Sequence, residues 1–164
     1  MNVDQLLHWI EQFGYAALFF ALWLGIVGLP IPDEVIVMTG GAVSQSGLLH
    51  AFPAFMLTYI GVITGLSIGY VLGRYCGPLI LERLRNQKRL RRSVERAERL
   101  VSSYGGYALL ISYFIPGVRH ILPYLVGMHQ MSYRKYAVFS ATAGLLWTGV
   151  YFIVGLKASY YIQS

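Results

Sequence analysis

The chain has 164 residues, of which 56% are hydrophobic and only 12% charged, and its net charge is +6. Soluble domains carry about 25% charged residues. Half that fraction, with long runs free of charge, excludes an ordinary soluble fold and predicts an integral membrane protein. The single cysteine, Cys76, excludes an intrachain disulfide and any cysteine-built metal centre. The four histidines (His8, His50, His120, His129) lack the close pairing on one helix face that a metal wants, so neither metal nor cofactor is expected.

In chain order, residues 1–13 place Val3, Leu6, Leu7, Ile10 and Phe13 among polar neighbours. That spacing predicts a short amphipathic helix at the membrane interface. It carries Asp4 and Glu11 but no Lys or Arg, the reverse of a secretory leader. Gly14 then opens the stretch 14–47. An apolar run over 15–29 reaches Pro30 and Pro32, then Asp33 and Glu34, and the chain is apolar again over 35–43. A spanning helix needs about 20 apolar residues, and neither run has them. Each proline removes a backbone donor and disfavours helix in the residue before it. The prediction is a re-entrant hairpin bent at Pro30 and Pro32, leaving Asp33 and Glu34 deep in the protein. Acids at that depth are costly and mark function.

Residues 52–75 follow as a full transmembrane helix, with Gly61, Gly65, Gly69, Gly73 and Gly77 repeating every fourth residue. Such a stripe lets another backbone approach closely, and it would equally serve self-association into a homodimer. The segment 77–103 carries most of the excess positive charge, with eight cations against three acids between Glu82 and Arg99. Its intermittent apolar positions predict a basic amphipathic helix on the cytoplasmic side, drawn to an anionic inner leaflet. Nucleic acid is not an expected partner, because no aromatic stacking platform is interleaved with these charges.

The pattern then returns. Over 106–129 an apolar run meets Pro116 and Gly117, then Arg119 and His120, with Pro123 in the second arm. This is a second re-entrant hairpin, and 133–157 is a second transmembrane helix. The fold class is therefore an all-α integral membrane protein of two inverted repeats. Each repeat is a hairpin followed by a span, and the basic helix joins them. Inverted repeats with discontinuous helices are a transporter signature. Each break also presents backbone amides that favour anions. Arg119, with a planar fork suited to two oxygens, is expected to read a phosphate. Glu34 would pair with an ammonium, or with Arg119 when no ligand is present. Asp33 would equally serve as an N-cap for the second arm.

The residues Gly28-Leu29-Pro30-Ile31-Pro32-Asp33-Glu34 with Gly40-Gly41, and Phe114-Ile115-Pro116-Gly117-Val118-Arg119 with Gly127-Met128, resemble the two motifs of the DedA family of bacterial membrane proteins. The resemblance covers about residues 14–156. It implies a multi-pass protein of the bacterial cytoplasmic membrane that carries phospholipid or polyprenyl-phosphate headgroups across the bilayer. Glu34 and Arg119 fall on the family's acid and arginine positions. The chain departs from the family in two places. It has no acid over 22–27, and it has Tyr113 where an arginine often stands. Tyr113 and His120 are counted with Asp33, Glu34 and Arg119 as headgroup-binding residues. The function expected is a lipid flippase or scramblase with phosphatidylethanolamine as cargo, since one acid and one arginine match its ammonium and phosphate. Undecaprenyl-phosphate recycling is the alternative in the same class. A proton-coupled small-solute or ion transporter using Glu34 is the alternative from another. An enzyme is not expected, for no nucleophile–base constellation beyond the pair Ser112 and His120 adjoins the breaks.

Overall fold

A computed structural model describes residues 3–27 and 32–163, and every regular element among them is helical. The chain divides into two compact units, one of residues 1–65 with 146–164 and the other of residues 66–145.

Helix α1 (Val3–Val27) runs unbroken for 25 residues, about 37 Å at 1.5 Å per residue. The boundary expected at Gly14, between an interfacial helix and a hairpin arm, does not form. Glycine inside a helix costs only about 1 kcal/mol, and here its bare face lets Leu49 approach, within 3.1 Å of where a Cβ would stand. The first arm is therefore long enough by itself to match the roughly 30 Å of hydrocarbon. Pro30 and the rest of 28–31 lie outside the described residues. Pro32 is extended (φ −63°, ψ 124°) and starts α2 (Asp33–Gln45). The Val35 amide donates to the Pro32 carbonyl at 3.0 Å. At 13 residues α2 is about 20 Å long, too short to cross.

Helix α3 (Ala51–Asn86) does not end at residue 75. It bends at Cys76 (φ −128°, ψ 17°) and continues. Pro78 lacks the N–H that would bond the Arg74 carbonyl, and its ring displaces that carbonyl, which accounts for the kink. The expected basic helix over 77–103 is thus divided between the end of α3 and a separate α4 (Lys88–Tyr104). Arg85 and Glu98 form an ion pair across that division. Val94 and Ala97 of α4 are fully buried in a core shared with Leu109, Val118, Leu122 and Leu125. The apolar face that suggested a helix adsorbed on lipid is instead used against the protein. Only the basic face is left outward.

After a 3-10 turn (Gly105–Tyr107) come α5 (Ala108–Ser112) and α6 (Val118–Met128), with Pro116 and Gly117 in the break between them. Helix α7 (Tyr133–Gln163) runs 31 residues, beyond the expected end at 157.

Among the described residues two helices, Ala51–Asn86 and Tyr133–Ile162, are long and apolar enough to cross a bilayer. Their surfaces are inverted relative to a soluble helix: Phe52, Leu146, Val150 and Ile153 are all more than half exposed (74, 58, 51 and 52%). Thr58, Thr64 and Thr142 return their hydroxyls to the carbonyls of Ala54, Ile60 and Val138 at 2.6–2.8 Å. That local bonding satisfies a hydroxyl where no water is available.

One contact recurs inside each unit. In the first, a Cβ on Gly41 of α2 would overlap the Phe152 carbonyl of α7 and lie 2.9 Å from the Leu156 nitrogen. Reciprocally, a Cβ on Gly155 of α7 would overlap the Met38 carbonyl of α2. In the second, Gly127 of α6 meets the Tyr70 carbonyl and Arg74 nitrogen of α3, and Gly73 of α3 meets the Tyr124 carbonyl of α6. The two crossings match residue by residue: three positions separate glycine from contact on the short arm (38 to 41, 124 to 127) and on the long helix (152 to 155, 70 to 73). Each short arm is held backbone-to-backbone on a long helix, a contact only glycine permits.

Backbone atoms cannot rotate away as a side chain can. Gly41→Ala, Gly73→Ala and Gly127→Ala should each cost about 1–3 kcal/mol through overpacking, read as a lowered thermal unfolding midpoint in detergent. Gly149→Ala, with nothing within 4 Å of the added carbon, should not lower the midpoint and should raise it, stabilising by up to about 1 kcal/mol through helix propensity. Equal behaviour of all four would remove the crossings from the account.

Candidate functional site

The first break supplies carboxylates. Asp33 and Glu34 occupy the first turn of α2, Asp33 buried and Glu34 half-buried. Asp33 is not the N-cap that the sequence allowed, because that position belongs to Pro32, which has no side-chain cap bond to give. Both acids instead sit inside the first turn, where the helix dipole favours negative charge by about 0.3–1 kcal/mol each. Beside them, between α1 and α2, lies an apolar groove of about 410 Å³. Gly14, Ala17, Ala21, Val35, Thr39 and Val43 line it, and the small residues on the α1 side leave it unfilled.

The second break supplies a cation. Residues 113–117 leave α5, and Gly117 turns the chain at φ +81°, a backbone that L side chains rarely adopt. A Cβ there would also lie 2.8 Å from the Ser93 Oγ of α4. The basic helix thus braces the break directly. Two residues on, Arg119 stands in the first turn of α6 with only 4% of its surface exposed. A guanidinium at a helix N-terminus opposes the dipole, and burial removes water from it. Both effects raise the cost of its positive charge. Arg119 Nη2 lies 3.4 Å from His120 Nε2, so these two predicted site residues are brought together.

Tyr113 is placed differently from the other site residues. It is 2% exposed and its hydroxyl shares a 2.6 Å hydrogen bond with Ser140 of α7. That bond ties the end of α5 to α7, a fixing role the sequence did not reveal. Ser140 had no signal marking it, since a serine in an apolar run reads as neutral. Ser112 donates its hydroxyl to the Leu109 carbonyl at 2.9 Å, which engages the proton a nucleophile would have to lose. Of the bend residues, Pro32 and Pro116 are exposed and Gly117 half-buried. Asp33 and Glu34 belong to the first unit, and Tyr113, Arg119 and His120 to the second. Among the described residues no group of three His, Cys, Asp or Glu could hold a metal.

Apolar surfaces on two spanning-length helices, with charges placed at helix breaks, define an all-helical membrane protein. Comparison with known proteins gives the family. Residues 31–157 match the VTT domain, and the chain belongs to this family, which includes DedA. It is 35% identical to the membrane protein YbfM of Bacillus subtilis over 89% of this chain and 91% of that one. Identity is 29% to protein DedA of Escherichia coli, over 86% of this chain and 67% of that one. To undecaprenyl phosphate transporter A of Bacillus subtilis it is 24%, over 94% and 77%. No solved structure matches the chain.

Gly117→Ala should destabilise by about 1–3 kcal/mol, combining the positive φ with the Ser93 collision. Adding Ser93→Ala should recover the collision part alone, so the double variant melts between the single variant and wild type. A double variant no more stable than Gly117→Ala would show that α4 does not brace this turn.

Proposed function

We propose that this protein is a lipid transporter that passes a phosphate-bearing headgroup between membrane leaflets. Buried Arg119 in the first turn of α6 is the observation that carries the reading. In a membrane protein such a residue is a functional site by default, and a helix N-terminus reinforces its pull on phosphate. The guanidinium takes two phosphate oxygens. The carboxylate of Glu34 suits a cargo that also carries an ammonium, which makes phosphatidylethanolamine the first cargo. The apolar groove between α1 and α2 accepts an acyl chain. Short arms α2 and α6 act as re-entrant elements, and the recurrence of one glycine crossing in both units supports reading the chain as two repeats, which we take to be inverted. The basic face of α4 meets the anionic cytoplasmic leaflet, following the positive-inside rule.

A second cargo, undecaprenyl phosphate, is favoured by the name of the Bacillus subtilis relative. It needs Arg119 but has no group for Glu34. The two readings separate in reconstituted vesicles carrying labelled lipids. Arg119→Ala should slow every phosphate-bearing cargo by about tenfold or more, the worth of a lost charge-assisted hydrogen bond. Glu34→Gln should slow phosphatidylethanolamine and spare phosphatidylglycerol, which has no ammonium. A Glu34→Gln variant that moves every cargo at the wild-type rate leaves the polyprenyl phosphate reading. Wild-type rates in both variants would sink the transport site altogether.

A further inference from the structure

A second cavity lies within residues 66–145, apart from the two breaks, and Val101, Val126 and Met131 make part of its lining apolar. It measures about 340 Å³ and is bounded by the end of α4, the end of α6 and the start of α7. Two basic side chains, His129 and Lys135, line it together with Ser132, Gly105 and Gly106. Its walls are set rather than loose. Helix α6 closes in a Schellman-type turn, with Gln130 at φ +58° and the Met131 amide donating to the Val126 carbonyl at 3.0 Å. The Met131 carbonyl then accepts from the Tyr70 hydroxyl and, at 3.4 Å, from Arg74 Nη1. Arg74 also donates to the Tyr70 hydroxyl at 2.9 Å. This network fixes the loop that carries His129 and Ser132. On the opposite wall a Cβ on Gly106 would stand 3.1 Å from Lys135 Cε. The bare glycine therefore leaves room for the lysine stem to lie flat at the cavity's edge.

A lysine, a histidine and a hydroxyl among the lining residues of one cavity suit a phosphate group, with three to four acceptor oxygens and a negative charge. Ser132 immediately precedes the first turn of α7, whose N-terminal dipole adds to the positive potential there. The outward cations of α4 raise the local concentration of anions around it. We propose that this cavity is a phosphate-binding site, separate from Arg119, which takes the phosphate of an anionic lipid headgroup or a free phosphate. The site does not depend on the transport reading, and its test requires no transport.

Purified full-length protein in neutral detergent would be unfolded thermally against three probes: inorganic phosphate, dioctanoyl phosphatidylglycerol and, as a neutral control, dioctanoyl phosphatidylcholine. A ligand that binds the folded state raises the midpoint in a saturable way. We expect saturation with one or both anionic probes. A shift with phosphate alone assigns a free-anion site, and a shift that needs the lipid assigns a headgroup site. Lys135→Gln and His129→Gln should each raise the half-saturating concentration about tenfold, and the double variant should abolish the shift. Lys135→Arg, which keeps the charge, should retain it. Arg92→Gln with Arg96→Gln, which removes charge from α4 without touching the cavity, should still saturate. No saturable shift with either anion, an undiminished shift in the double variant, or a loss in Lys135→Arg as complete as in Lys135→Gln would overturn the site.

Discussion

The structure depends on the close approach of backbones where each short arm crosses a long helix. Helix α2 lies on α7, and α6 lies on α3, with a reciprocal pair of glycines at each crossing. Helices too short to cross a bilayer gain nothing from hydrophobic association there, because lipid tails are as apolar as leucine. Contact has to come from dispersion between closely fitted surfaces, and closeness requires the absence of Cβ. Once held in this way, a short arm keeps a fixed place on its long helix without being long enough to cross a bilayer itself. The charged first turns of α2 and α6 then follow from where those arms start.

The second unit shows how the constraint extends to the site. Gly117 turns the chain at positive φ with Ser93 against it, and α6 begins immediately with Arg119 in its first turn. Helix α4 presses Val94 and Ala97 into the same core as Val118 and Leu122. The charge of Arg119 is therefore fixed by packing on both sides of the turn.

Much of this was legible in the sequence. Proline and glycine at 32, 116 and 117 mark the breaks, although Pro78 and Pro123 lie inside α3 and α6, so a proline alone does not end a helix here. The stripe at Gly69, Gly73 and Gly77 announced close packing, and α6 does lie against it. The partner of each stripe was not legible. Neighbours in sequence are the default pairing, yet α2 meets the distant α7, and Gly61 faces α1 rather than α6. Gly14 misled in the opposite direction, since one glycine is a weak signal that Leu49 packing outweighs. The span expected to end at residue 75 continues instead, because Pro78 and the non-helical Cys76 kink α3 without ending it. Likewise the apolar positions of α4 were visible, while their use against α6 rather than against lipid depends on tertiary contacts that no local pattern records. Tyr113 and Ser140 form a buried pair 27 residues apart, which periodicity cannot show.

The most direct test of the account is the lipid that leaves the membrane with the protein. Mass spectrometry of gently purified wild-type protein should find a phosphate-bearing lipid enriched over its share of the host membrane, and Arg119→Ala protein of equal stability should have lost that enrichment. Lipid retained in bulk-membrane proportions, or enrichment unchanged when the guanidinium is removed, would contradict it.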